Sequence, residues 1–414
     1  MFKGKREGGD MDKNVKVGIF RTPFIEDATV EQKITMLGEN TGNMVFGYAL
    51  VRLLGTELVP YNGIHNEELM KKYDSFIITD LIWIRENSNF EYLNKILDRT
   101  DKPLVPISVG LQANSIDSDF KINDSTLKII KRIEERATIG VRGEYTANVL
   151  EKHGIKKYSV IGCPSMYYWN NPELQINSNV SRPEKILSNF RTIYGSLTQK
   201  EKHFLSYSAN LNAKFVEQTR HVLTLENVKD EKYFSYVSNW MKKNKAMYFT
   251  VDEWMEKTKD YDFSIGGRFH GNVISLWNNS KSLFLYVDSR TKELTDHFKL
   301  PAMNINEFDK EKSIEFYYEI ADYSEFNKIY KKRFYEFKEF LKENNLKIDE
   351  NIDIRRFAHD VQEKELYAKT RIKRDKFLID KNSEEYQTIA SLYNILSEQN
   401  NIEIIKRILL GLLA

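Results

Sequence analysis

The chain has 414 residues, a length that at about 150 residues per domain leads us to expect two or three domains. Lys and Arg outnumber Asp and Glu by 62 to 60, which argues against a surface built to coat nucleic acid. Apolar residues at 41% suffice for ordinary cores, and the single cysteine, Cys163, excludes an intrachain disulfide framework. The first residues carry charge with no apolar run behind them, so no secretory signal is expected, nor any run long enough to span a membrane. The protein is expected to be cytoplasmic, with the inner face of the membrane left open to it.

In chain order, residues 15–20 (VKVGIF) read as a buried strand, followed by GENTGN at 38–43 and a helix over 44–54. In that helix Val45, Leu50, Val51 and Leu54 share one face. Short apolar runs recur at 76–79, 104–109, 137–141 and 158–161, each ending in a polar or glycine-bearing turn, with a helix from about 144 to 152. Strands alternating with helices at this spacing predict a parallel sheet covered on both faces, here placed in an N-terminal α/β domain over 12–170. The polar, proline-containing stretch 170–184 reads as a linker. A second alternating set follows, with strands at 185–190, 222–225, 261–265 and 282–287 and helices at 198–210, 251–258 and 272–278. It predicts a second α/β domain over 184–310. Residues 314–345 read as helical within an extension covering 311–414. The tail IEIIKRILLGLL would align Ile402, Ile405, Leu409 and Leu412 on one helical face. That face suits packing on the protein's own domains, a partner, or a membrane surface.

Ligands of open parallel sheets bind beyond the carboxyl ends of the strands, where helix N-termini attract anions. Four turns are candidates. Ser264–Asn272 (SIGGRFHGN) joins a strand to a helix through paired glycines, then Arg268 and His270. The Arg can fork onto a carboxylate or phosphate and the His can move protons, but a tight turn with a surface Arg and a buried His fits equally well. Val141-Arg142-Gly143 repeats that layout. Tyr286–Glu293 (YVDSRTKE), with Asp288, Arg290 and Lys292, follows directly on an apolar strand, and alone would pass for a solvated charge run. Asn40-Thr41-Gly42-Asn43 would serve as a sugar or phosphate loop, or as a plain polar turn. The histidines lie singly, with no metal-ligand spacing, and no GxSxG elbow or GxxxxGK[ST] loop occurs. Cys163 reads as a small core thiol rather than a nucleophile.

Taken together, GENTGNMVFGYAL at 38–50, PISVGLQ at 106–112 and VRGEYTANVLEKHGI at 141–155 resemble the polysaccharide pyruvyl transferase family. So do VIGCPSMYY at 160–168, SIGGRFHGNVISL at 264–276 and YVDSRTKEL at 286–294. The resemblance implies two doubly wound, Rossmann-like α/β domains similar to GT-B glycosyltransferases, and transfer of pyruvate from phosphoenolpyruvate onto two hydroxyls of one sugar. It implies a catalytic His270 and Arg268, and donor contacts from Arg142, Arg268, His270, Gly271, Arg290 and Lys292. The family often has Arg-Leu-His where this chain has Arg268-Phe269-His270, and Asp-Pro-Lys where it has Asp288-Ser289-Arg290. Acceptor contacts are expected from Asn40, Thr41, Gly42, Asn43, Tyr167 and Trp169, the aromatics serving alternatively as interdomain packing. No metal and no cofactor beyond phosphoenolpyruvate as co-substrate is expected. The expected acceptor is a lipid-linked oligosaccharide or a nucleotide sugar, with no nucleic-acid partner and with membrane association and self-association left open. A sugar-nucleotide glycosyltransferase of the same architecture, or a non-catalytic binding protein, are the competing readings.

Overall fold

The computed structural model describes residues 15–21, 29–116, 119–177, 180–191, 197–219, 223 and 228–349. The tail face at 402–412 lies outside them, as does most of the strand expected at 222–225. Its strands are β1 (Val17–Phe20), β2 (Glu57–Val59), β3 (Ser75–Ile78), β4 (Leu104–Pro106), β5 (Ile139–Val141), β6 (Tyr158–Val160), β7 (Ile186–Asn189), β8 (Lys214–Val216), β9 (Lys245–Ala246), β10 (Phe263–Gly266), β11 (Lys281–Tyr286) and β12 (Ala302–Asn304). The helices are α1 (Val30–Met36), α2 (Asn43–Leu54), α3 (Glu67–Lys72), α4 (Glu91–Leu97), α5 (Asp124–Glu134), α6 (Glu144–Lys152), α7 (Gln199–Asn210), α8 (Glu231–Asn244), α9 (Val251–Thr258), α10 (Phe269–Trp277), α11 (Ser289–Phe298), α12 (Ile314–Ile320) and α13 (Ser324–Glu343).

Two parallel sheets result. The first runs β2-β1-β3-β4 and continues through a bridge from Val109 to Val141 into the β5–β6 pair. The second runs β12-β11-β10-β7-β8-β9. Their central strands are buried along their whole length, which is why they read in the sequence as unbroken apolar runs. The structure is thus the two-sheet α/β architecture that the alternating pattern predicts. Edge strands β2, β9 and β12, two or three residues long and partly exposed, carry too little pattern to be read.

The helical stretch expected over 314–345 breaks into α12 and α13. Tyr323 sits at the break, buried, its hydroxyl donating to the Ser282 carbonyl at 2.8 Å. Helix α12 stays with the second sheet, whereas α13 returns to the first. Its stripe of Phe326, Tyr330, Phe334, Phe337 and Phe340 is buried in a core shared by both sheets. Asn344 closes the crossing, accepting from the Thr138 amide at 2.9 Å. No helix among the described residues is long and apolar enough to cross a membrane.

Candidate functional site

The turn after β10 is locked from below. Asn189, at the end of β7, accepts from the Gly267 amide with its carbonyl and from the Arg268 amide with its side chain, both at 2.8 Å. Its side-chain amide donates to Asn272 Oδ1, which also receives Ser264 Oγ, each at 2.8 Å. A Cβ on Gly266 would collide with the Asn189 carbonyl oxygen, backbone that cannot yield. Gly266→Ala should therefore cost about 3 kcal/mol, visible as a lowered urea midpoint; an unchanged midpoint would disprove the contact.

Helix α10 has no side-chain cap at Arg268, so its first amides stay available where His270 projects. Arg268 Nη2 donates to Thr219 Oγ1 at 3.1 Å, and Thr219 is held by Glu217 Oε1. Beside it, Gln218 is buried between the two sheets. Its carbonyl accepts from the Thr41 amide at 2.7 Å, while its side chain fills the space over Gly42 and Gly271. The absence of side chains at those glycines lets the loop at 40–43 pack directly against His270. Asn40 Oδ1 accepts from the Gly42 amide and Asn43 Nδ2 donates to the Leu37 carbonyl, so both shape the loop itself. Thr41 Oγ1 and Gln218 Nε2 are buried with no hydrogen-bond partner among the described residues.

Three more groups from the first sheet complete the cleft. Arg142, just past β5, is buried against Gly110, and its Nε reaches Ser108 Oγ at 3.4 Å. Ser108 holds φ at 62°, a left-handed turn that is strained for a residue with a Cβ. Arg21, just past β1, lies 4.6 Å over the Phe46 ring, and its Nη1 donates to Thr79 Oγ1 at 3.3 Å. Cys163 Sγ is 3.5 Å from His270 Nε2, and burial pushes the thiol up, so it remains protonated. Neither Arg21 nor Arg142 has an ion-pair partner among the described residues. Burial pushes His270 down to about 3, with Arg142 and then Arg21 adding to the effect. Two desolvated guanidiniums thus lie near a neutral imidazole; the closest carboxyls among the described residues, Asp80 toward Arg21 and Glu293 toward Arg142, form no ion pair with them.

The turn after β11 reaches the same region. Asp288 caps α11 and takes Arg290 Nε and Nη2 at 3.2 and 2.8 Å, so the Arg290 fork is occupied within its own turn. Lys292 Nζ is held by Asp296 at 2.5 Å. Ser289 Oγ donates to the Leu111 carbonyl at 2.7 Å, docking this turn on the first sheet. Of the expected acceptor aromatics, Tyr167 is enclosed: it stacks on Phe337 at 4.2 Å, its hydroxyl bonds the Ile161 carbonyl, and no ring face is open. Trp169 packs edge-on against Tyr168, which itself stacks on Trp277 at 3.8 Å.

Arg21, Gln218 and Thr219 were not expected at this site, and Glu293, within the candidate turn after the apolar strand, was given no role. Arg21 directly follows a readable strand, so the carboxyl-end rule would have found it; Gln218 and Thr219 follow the short, unread β8. Glu293 of α11 accepts from the Thr146 amide and hydroxyl at 3.1 and 3.0 Å, capping α6 across the sheets. Burial pushes its carboxyl up to about 7, against the opposing pull of Arg142. A carboxyl raised on folding contributes stability that is complete below pH 4.5 and is lost as pH rises through 7. The loss is roughly 3 kcal/mol at 1.36 kcal/mol per unit. Glu293→Gln should flatten the stability profile between those limits; denaturation at pH 5 and 8 with an unaltered difference would refute this.

Among the described residues no three His, Cys, Asp or Glu side chains group to hold a metal ion. A family model for polysaccharide pyruvyl transferase matches residues 40–289. No curated protein matches the sequence. Solved structures with a similar chain path include MnaA of S. aureus with UDP, at 11% identity, covering 79% of this chain and 96% of that one, with a TM-score of 0.41. Others are a putative UDP-N-acetylglucosamine 2-epimerase from Listeria monocytogenes (9%, 77% and 89%, 0.42) and the apo lipopolysaccharide outer core galactosyltransferase WaaB (10%, 80% and 97%, 0.38). Likenesses this distant carry no information about chemistry.

Proposed function

Because the chain belongs to the polysaccharide pyruvyl transferase family, we propose that it moves pyruvate from phosphoenolpyruvate onto two hydroxyls of one sugar, forming a cyclic ketal for a bacterial surface polysaccharide. The observation that supports this reading best is that the buried Arg142 and the half-buried Arg21 both act on His270 while neither is ion-paired among the described residues. Phosphoenolpyruvate brings a carboxylate and a phosphate, between two and three negative charges near neutral pH. Arg21, Arg142, Arg268 and the uncapped first turn of α10 complement such an anion.

The chemistry follows from that placement. A proton delivered to the methylene carbon leaves oxocarbenium character at the carbon bearing phosphate. One sugar hydroxyl adds there and releases its proton; phosphate then departs with the C–O bond electrons, and the second hydroxyl closes the ring, releasing another proton. His270 is the proton donor in this reading. Its imidazole is neutral in the empty cleft and becomes protonable once the anion reverses the local field. The guanidiniums stabilise the leaving phosphate. The acceptor sugar enters over the loop at 40–43.

Thermal stabilisation by phosphoenolpyruvate tests the donor side, with about 2.7 kcal/mol expected at 100-fold above its dissociation constant. Phosphate release on adding a glycan acceptor tests transfer. A response to nucleotide sugars and none to phosphoenolpyruvate would overturn the reading in favour of glycosyl transfer.

A further inference from the structure

A second cavity, of about 580 Å³, opens on the first sheet between the turn at Tyr61–His65 and helix α4. Its volume falls within the range that encloses small ligands. Tyr61 and Tyr92 form one wall, their rings edge to face at 6.0 Å. Behind Tyr92 the buried Phe90 ring packs in turn on the exposed Trp83. His65, Lys95 and Arg99 also line it. The one acid in the lining, Asp98, is engaged by Arg132 Nη2 at 2.7 Å, whereas Lys95 and Arg99 have no ion pair among the described residues. Aromatic faces beside unpaired cations are the chemistry that holds a sugar ring bearing an anion.

The cavity also adjoins the catalytic cleft. Tyr61 donates to the Phe20 carbonyl at 3.0 Å and to Asp80, and Tyr92 also bonds Asp80. Asp80 in turn lies within the electrostatic reach of Arg21. Tyr61, Asp80 and Arg21, just past the ends of the adjacent strands β2, β3 and β1, thus link the wall of the cavity to the cleft. We propose that this cavity is an acceptor subsite, holding a neighbouring sugar unit that carries a phosphate or carboxylate while the reacting unit lies at His270. This rests on the reading that the acceptor is a glycan.

The experiment is saturation-transfer NMR on the full chain with galactose 1-phosphate as probe, with glucuronic acid and galactose as separate arms and inorganic phosphate as a competitor expected to lower the galactose 1-phosphate signal. The comparison is between wild type, the exposed pair Lys95→Ala/Arg99→Ala, and the cleft variant Arg268→Ala. Ring-proton signals from galactose 1-phosphate should survive in Arg268→Ala and with phosphoenolpyruvate present, and fall at least fivefold in the double variant. A signal from glucuronic acid of similar size would assign a carboxylate; a signal from galactose 1-phosphate alone would assign a phosphate. No transfer to wild type, equal signals in the double variant, or equal binding of plain galactose would overturn the proposal. The donor assay reads a different site, so loss of the phosphoenolpyruvate shift with an intact sugar signal would fault the pyruvyl reading and leave this one standing.

Discussion

Arg142→Met is expected to abolish thermal stabilisation by phosphoenolpyruvate while raising the melting temperature of the ligand-free protein. Two facts about one side chain produce opposite effects. The guanidinium is buried, so its charge has lost most of its hydration, and burial alone pushes its proton affinity down. One weak hydrogen bond to Ser108 offsets little of that loss, and Glu293, although near, makes no ion pair with it. Replacing a buried, poorly paired charge by an apolar group of similar length removes a standing penalty, here on the order of 1 kcal/mol. The same replacement removes a charge-assisted contact to the donor, and a lost contact of this kind to a buried anion costs about 2–5 kcal/mol in binding. Arg21→Met should weaken the ligand shift in the same way with a smaller gain in the ligand-free protein, since Arg21 is half-buried and donates to Thr79. Differential scanning fluorimetry with and without phosphoenolpyruvate reads both effects at once. A lower melting temperature with an intact ligand shift would show that Arg142 is structural.

His270→Gln should lower turnover about 10²–10⁴-fold, the usual contribution of a positioned acid or base. It should also remove a pH dependence from donor binding. In the empty cleft the imidazole sits near 3, held down by burial, Arg142 and Arg21. A bound anion places negative charge against those guanidiniums, and the imidazole rises. Binding then takes up a proton over the interval between the two values, so affinity falls as pH rises through the bound-state value, by at most tenfold per unit. Calorimetry in two buffers of different ionisation enthalpy detects that proton directly. If wild type and His270→Gln take up the same number of protons, His270 is not the group responsible. In the ligand-free protein the sign differs: a histidine lowered from 6.5 contributes stability that is present above pH 6.5 and lost as pH falls toward 3.

Much of the site was legible because local pattern and chemistry coincide there. Val141-Arg142-Gly143 and Ile265-Gly266-Gly267-Arg268 each announce a buried strand, a turn and a charged residue within a few positions. Arg290 and Lys292 were legible as charges, but sequence spacing says nothing of Asp288 and Asp296, which engage them within their own helix. Tyr167 looked like a platform because an aromatic before a linker fits either role. Its burial was decided by Phe337, 170 positions downstream, when α13 crosses back to the first sheet.

The amino-acid sequence by itself determined the two parallel sheets and the placement of Arg142, Arg268 and His270 beyond strand ends. Hydrophobic period and turn chemistry are local, and each acts within about ten residues of chain. The tertiary structure alone decided that Arg21 and Arg142 both come close enough to act on His270, with no ion-pair partner among the described residues. It also decided that Glu293 caps a helix of the opposite sheet and that the Tyr61 cavity backs onto the same cleft. Charge and burial at those positions are sums over groups far apart in the chain, and such sums exist only once the two sheets have packed.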